Sequence, residues 1–255
     1  MNIQQLYAFL NDRIPSSLSC DWDNDGLMCC ADTSAEVKMV LIALDITKKV
    51  VEEAIAGGYD LIVSHHPLIF SPLRSVTPSD HVAKKVITLL RAGISAMSFH
   101  TRLDAVKGGV NDLLAAQLGL IDVVPFGENG EEIGRIGSLE APMSLSAFAQ
   151  TVKAVTGADA LQFSNGGKEV LRVAVLGGGG SSDVGAAAAA GADTYVTGEL
   201  KHNQLTDAPE CGMNLIAAGH FYTEDHICKH LAELIAEAIP EAEIVITNSN
   251  PVQTI

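Results

Sequence analysis

Three short apolar runs constrain this chain most: VKMVLIALDIT (37–47), YDLIVSHHP (59–67) and ISAMSFHT (94–101). Their hydrophobicity is too continuous for strands with one wet face, so each reads as a strand covered on both sides. Between them lie KKVVEEAIAGG (48–58) and SDHVAKKVITLLRAG (79–93), amphipathic segments that stop at glycine as helices do. Strand, helix, strand, helix, strand with short connections predicts an α/β layered sandwich with mixed, mostly parallel sheets. The opening segment MNIQQLYAFLNDRIP is apolar at Ile3, Leu6, Tyr7, Leu10 and Ile14, the spacing of an amphipathic helix and not of a signal peptide.

After the helical segment GGVNDLLAAQLGL (108–120), composition shifts at PFGENGEEIGRIG (125–137), which is glycine-rich and acidic. That shift predicts a crossing into a second lobe. There SLSAFAQTVKAVTG reads as a helix with a serine cap, LRVAVLGGGGSSD as a strand entering a glycine turn, and TYVTGEL and MNLIAAGH as strands around a helix. TEDHICKHLAELIAEAI then reads as one long helix and EAEIVITNS (241–249) as a last strand. The expected division is two-lobed: residues 1–126 with 215–255 as the larger lobe, carrying most candidate ligands, and 127–214 as the smaller.

Formal charge is −15, with 31 acidic against 16 basic residues and no basic block. Nucleic-acid and anionic-membrane surfaces both depend on clustered positive charge, so neither partner is expected. No run reaches the ~18 apolar residues that a membrane span needs. The five cysteines form no CxxC pair and are odd in number. They read as thiols in a reducing cytoplasm. Cys29-Cys30 is unsuited to chelating one ion and reads as packing.

In open α/β sheets, ligands bind beyond the carboxyl ends of strands. Three expected strands end in potential metal ligands: IVSHH, MSFHTRLD and LIAAGH. Pro67 biases His66 toward extended backbone, where the rings of His65 and His66 would diverge and serve two metals or two sides of one cavity; a hydrogen-bonded histidine pair is the alternative. His100, Thr101 and Asp104 follow the next strand, Asp104 being either a hard oxygen ligand or the cap of a helix near Gly108. His220 and Glu224 are four apart and share a face if a helix begins at His220, whereas Thr223 as the cap would leave His220 in a loop. Together His65, His66, Asp104, His220 and Glu224 offer three imidazoles and two carboxylates. This nitrogen and oxygen set suits two divalent ions of zinc, manganese or iron, and the lack of a thiolate argues against a structural zinc site. The turn Gly177–Asp183 reads as a phosphate cradle or simply a tight turn. Glu199 and His202 read as general acid and base or as a solvated helix start.

The segments WDNDGLM, ALDIT, IVSHHPLIF, HTRLDAVKGGVNDLLAAQLGL, IGRIGSL, VAVLGGGGSSD, YVTGELKHNQLTDAPECGMNLIAAGH and TE together resemble the GTP cyclohydrolase 1 type 2 homologues, also called the Ngg-one-interacting-factor-three-like family. The resemblance runs in order over nearly the whole chain. It implies a two-lobed α/β protein with a dinuclear metal centre between the lobes, assembled as a hexameric ring, and the same five ligands. It also implies a hydrolase converting GTP to formate and dihydroneopterin triphosphate. The rival from another class is a non-catalytic ring that binds, delivers or senses metal or scaffolds a partner. The chain departs from the family pattern at Arg102, where Asn is frequent, and at His202-Asn203, where Tyr-His is.

Overall fold

A computed structural model describes residues 1–128, 130–247 and 250–252. The chain divides into two compact units, the first built from Met1–Val106 and Ile227–Pro251, the second from Lys107–His226. These boundaries fall at 106/107 and 226/227, where the sequence reading placed them at 126/127 and 214/215. His220 and Glu224 therefore belong to the second unit.

The first unit opens with α1 (Ile3–Arg13), started by a reciprocal cap in which Asn2 accepts from the Gln5 amide and Gln5 Oε1 accepts from the Asn2 amide. β1 (Gly26–Cys29), β2 (Met39–Ala43), α2 (Lys48–Gly57), β3 (Leu61–Ser64), α3 (His81–Ala92), β4 (Ser95–Ser98) and α4 (Thr101–Ala105) follow. Thr47 and Asp80 cap α2 and α3, and left-handed Gly58 and Gly93 end them, which is why the glycines at these stops were legible.

The second unit comprises α5 (Val110–Gln117), β5 (Ile121–Phe126), β6 (Gly134–Met143), α6 (Leu145–Thr156), β7 (Gln162–Ser164), β8 (Val170–Leu176), α7 (Val184–Ala189), β9 (Thr194–Thr197), α8 (His202–Cys211), β10 (Asn214–Ala217) and α9 (His220–Glu224). The chain then returns to the first unit with α10 (Ile227–Ala238) and β11 (Glu243–Ile246). Positions 248 and 249 of the expected last strand lie outside the described residues.

The first sheet has the order β1-β4-β3-β2-β11, parallel except for β1 at one edge. Its middle strands β2, β3 and β4 are buried almost throughout, as continuous apolar runs require. Leu41, Ile62 and Ala96 from these strands pack with Val50, Ala54 and Leu89 from α2 and α3. The second sheet, β5-β6-β8-β9-β10-β7, is mixed: β8, β9 and β10 are parallel, and β5, β6 and β7 pair antiparallel. Phe148 and Val152 of α6 pack with Leu114 of α5 over Val173, Val175 and Ile216 on one side of it. Tyr195, Leu215 and Phe126 belong to a separate cluster.

The expected single helix over 223–239 is two helices. α9 ends at Glu224 and α10 begins at Ile227. No helix among the described residues is long and apolar enough to cross a membrane.

Candidate metal-binding residues

In the first unit the donors follow the carboxyl ends of three adjacent parallel strands: Asp45 after β2, His65 and His66 after β3, and His100 after β4. β3 stops at Ser64, and both histidines sit in a bend, fixed where Ser64 Oγ donates to the His66 carbonyl at 2.7 Å. The rings therefore do not diverge as an extended chain would make them. Their centroids are 4.8 Å apart, tilted by 46°. One ligand atom from each of His65, His66 and His100 lies within 4.8 Å of the others.

The partners of these rings decide which nitrogen can bind a cation. His65 Nδ1 is 2.9 Å from the Phe99 carbonyl. A carbonyl only accepts, so Nδ1 carries the proton and Nε2 the lone pair. His66 Nδ1 meets Asp45 Oδ1 and His100 Nδ1 meets Asp23 Oδ1, each at 2.8 Å. A carboxylate behind an imidazole fixes its tautomer and orientation and raises the basicity of the opposite nitrogen, the usual arrangement behind a metal-bound histidine.

Asp104, on α4, is buried and brings Oδ1 to 3.7 Å from His65 Nε2, too long for a hydrogen bond. It does not cap the following helix. That helix starts from Gly109, and the Gly108 amide donates to Asp112 instead.

The loop DWDND (21–25) holds this cluster in place. Burial opposes ionisation of Asp23, yet its hydrogen bonds with His100 and with the Thr101 hydroxyl and amide outweigh that cost and hold the carboxyl well below the usual carboxylate range. Asp25 accepts from the His100 amide and pairs with Arg102, whose buried guanidinium also donates to Asn11 Oδ1 and the Ile14 carbonyl. Arg102, a departure from the family pattern, is thus the buried tie between α1 and the loop behind His100.

In the second unit the arrangement again follows three parallel strands. β8 runs into the glycine turn, β9 into Gly198-Glu199, and β10 into Gly219-His220. α9 begins at His220, and Thr223 is no cap; its hydroxyl lies within hydrogen-bonding reach of the Gly219 and His220 carbonyls. His220 Nε2 and Glu224 Oε2 consequently face one another at 3.1 Å. His220 Nδ1 meets Glu199 Oε1 at 3.0 Å, repeating the carboxylate-backed imidazole of the first unit. Glu199, for which the sequence offers an acid or base role or a solvated helix start, has its carboxylate on the His220 ring. His202 opens α8 on the exposed surface.

Three amides of the glycine turn are engaged within the protein and do not point to a phosphate. The N–H groups of Gly177, Gly178 and Gly180 donate to Asn111 Oδ1, Thr223 Oγ1 and Thr197 Oγ1 at 2.8, 3.0 and 3.1 Å. The turn makes room for the His220 and Glu224 side chains. A methyl on Gly178 would collide with Glu224 Oε1 and lie 2.9 Å from His220 Nε2, and its φ of +65° already favours glycine.

His100 stands among the sequence candidates but outside the five-ligand set, and Asp23 and Asp45, which meet the rings of His100 and His66, were not picked out by sequence reasoning. The signal for Asp23 and Asp45 was the acidic residue beside each glycine turn or strand end, but pairing across 77 and 21 residues is visible only in the fold.

The class so defined is an α/β protein equipped with histidine and carboxylate groups able to hold a metal ion. The chain belongs to the Duf34/NIF3 (NGG1p interacting factor 3) family, whose model matches residues 1–251. It is 30% identical over 97% of its length to a Clostridium perfringens protein named GTP cyclohydrolase 1 type 2 homolog, covering 96% of that protein. A Schizosaccharomyces pombe NIF3 homolog is 34% identical, with 91% of this chain and 89% of that protein aligned. The crystal structure of Staphylococcus aureus protein SA1388 superposes with a TM-score of 0.87 at 27% identity, covering 100% of this chain and 99% of that one.

Proposed function

We propose that the chain is a dinuclear metal-dependent hydrolase acting on a nucleotide-like anion, with His65, His66, Asp104, His220 and Glu224 holding two divalent ions of zinc, manganese or iron. The observation that carries this reading is common to both units. The three imidazoles of this set, and His100 beside His65 and His66, each have Nδ1 against a carbonyl or carboxylate acceptor, the arrangement found behind a metal-bound histidine. The donor set is nitrogen and oxygen, with no thiolate, which fits a catalytic and not a structural metal site.

Bound divalent metal supplies a nucleophile at neutral pH by lowering the pKa of water, and it neutralises anionic substrate oxygens. This chain's own residues do the rest. Phe99, Asp45, Asp23 and Glu199 hold protons on the Nδ1 atoms, which leaves the lone pair of each ring on Nε2. Glu224, tucked against the glycine turn, is fixed as a carboxylate donor beside His220.

The name borne by the relatives supports GTP as the substrate class, cleaved to formate and dihydroneopterin triphosphate, and a homohexamer in a reducing cytoplasm is the assembly and setting proposed with it. One observation favours the second reading, a metal-binding or delivery protein without turnover: Glu199 is committed to His220 and His202 lies exposed, so neither expected proton carrier is built into the donor set. The two separate in one experiment. The hydrolase reading expects metal-dependent formate release from GTP, lost in the His65→Ala, Glu224→Ala double variant. Metal bound at two ions per chain with no turnover of any nucleotide favours delivery.

A further inference from the structure

Trp22 and Phe70 are large, apolar and more than half exposed, at 56% and 52%. Their polar neighbours explain how they are held there. Asp23 and Asp25 point inward to His100, Thr101 and Arg102, and Asn24 Nδ2 donates to the Ile69 carbonyl, latching the two loops together. Every polar side chain of the WDND segment is thereby engaged, and the tryptophan is left on the outside beside Phe70.

The two rings form an angled wall, with centroids 6.2 Å apart and planes at 61°. Each also lies 6.1 Å from the His100 ring, edge to face, and His100 is 5.3 Å from His65 and 5.6 Å from His66. The wall therefore stands one ring away from the imidazole cluster.

Phe70 also lines a cavity of about 630 Å³ that takes in Arg74, His81 and Lys85. Asp80, the one carboxylate lining it, has Oδ1 committed to the Val82 and Ala83 amides as the cap of α3. Lys85 gives one N–H to the Ile46 carbonyl at 2.6 Å, and an ammonium has three. A chain of net charge −15 thus keeps the basic side chains of Arg74 and Lys85 in a cavity that shares Phe70 with the aromatic wall.

We propose that Trp22 and Phe70 stack a planar heteroaromatic ring and that Arg74 and Lys85 take an anionic group of the same molecule. This deepens the hydrolase reading and rests on it only for the chemistry performed, because the binding can be measured without turnover. The ring lies on the aromatic wall beside His100, and the anionic group enters the cavity that Phe70 lines.

Trp22 is the only tryptophan, so its fluorescence reports the wall directly. The full-length chain is titrated with guanosine, guanosine monophosphate and ribose 5-phosphate, with calorimetry in parallel. Guanosine and the monophosphate should quench Trp22 and ribose 5-phosphate should not. Phe70→Leu should weaken the monophosphate about 10-fold, within the usual range for a base stacked on an aromatic side chain. Arg74→Ala with Lys85→Met should weaken the monophosphate and ribose 5-phosphate while sparing guanosine. Trp22→Phe, followed by calorimetry, should retain binding and guards against loss through misfolding.

Equal affinity for ligands with and without the base, or unchanged binding in Phe70→Leu, overturns the proposal. So does a fall in oligomer mass in Trp22→Ala, which would show a second copy of the chain seated on the wall. Formate release from GTP in the same samples keeps the two readings apart. Base-dependent binding without turnover sinks the hydrolase and keeps the subsite, whereas undiminished turnover in Phe70→Leu does the reverse.

Discussion

The two units place metal-competent side chains after parallel strands in the same way, yet support them differently. In the first, His65 and Asp104 are buried, and His100 is backed by Asp23 within a polar network that reaches α1 through Asp25 and Arg102. In the second, the His220 side chain is 37% exposed and its orienting Glu199 62% exposed, and position depends on backbone glycines that leave space. Donors set in a buried polar network are coupled to folding, because breaking the network leaves unpaired charge inside. Donors set by a glycine turn are coupled to local shape.

The largest effect should come from the network. Arg102→Ala leaves Asp25 without its guanidinium partner and should cost roughly 3–5 kcal/mol in urea unfolding. A loss under 1 kcal/mol would break the contrast at its strongest point. Next is the turn. Gly178→Ala pushes Glu224 aside and puts a side chain at a positive φ, so it should cost roughly 1–3 kcal/mol in stability and also lower metal affinity. Wild-type metal affinity in this variant would show that the glycine is not needed to seat Glu224.

The orienting carboxylates give a finer comparison. Asp45→Asn removes the partner of the His66 Nδ1 and should weaken metal binding about 10- to 100-fold, the usual cost of losing an outer-shell partner. Glu199→Gln should cost less, because its bond to His220 is largely in water. Competition with a chelating dye ranks the two, and the reverse order would overturn the distinction between the less and the more exposed support.

The smallest effects concern thiols. None of the five cysteines is in a disulfide, and Cys29 is buried while Cys211 is exposed. Burial pushes the Cys29 thiol from 9.0 up to about 11. The folded state thus holds this proton more tightly than the unfolded one. Its contribution is complete below pH 9, and stability declines as pH rises from 9 toward 11. At neutral pH a maleimide should label Cys211 within minutes and Cys29 only on unfolding. Equal labelling rates would contradict the burial of β1.

What was legible in the sequence divides along similar lines. β2, β3 and β4 were plain because strands covered on both faces need unbroken apolar runs. β5 and β6 were hidden. β5 is exposed along most of its length and contains Pro125, and β6 carries two glycines and Pro142, so both imitate a linker. β1 lay concealed behind the turn residues of DWDND. Candidate donors could be picked out because they follow a strand or lie in the short helix just after it, positions fixed by local pattern. The partners that orient them come from distant segments, and no local pattern marks a carboxylate as belonging to a histidine 77 residues away.

Metal stoichiometry tests the central claim most directly. The full-length chain is stripped with chelator, reconstituted with zinc, manganese or ferrous iron, desalted, and metal is counted against protein by elemental analysis. The account predicts two ions per chain, falling sharply in the His65→Ala, Glu224→Ala double variant while circular dichroism shows the fold retained. One ion or none in the wild-type chain with all three metals, or an unchanged count in the double variant, contradicts it.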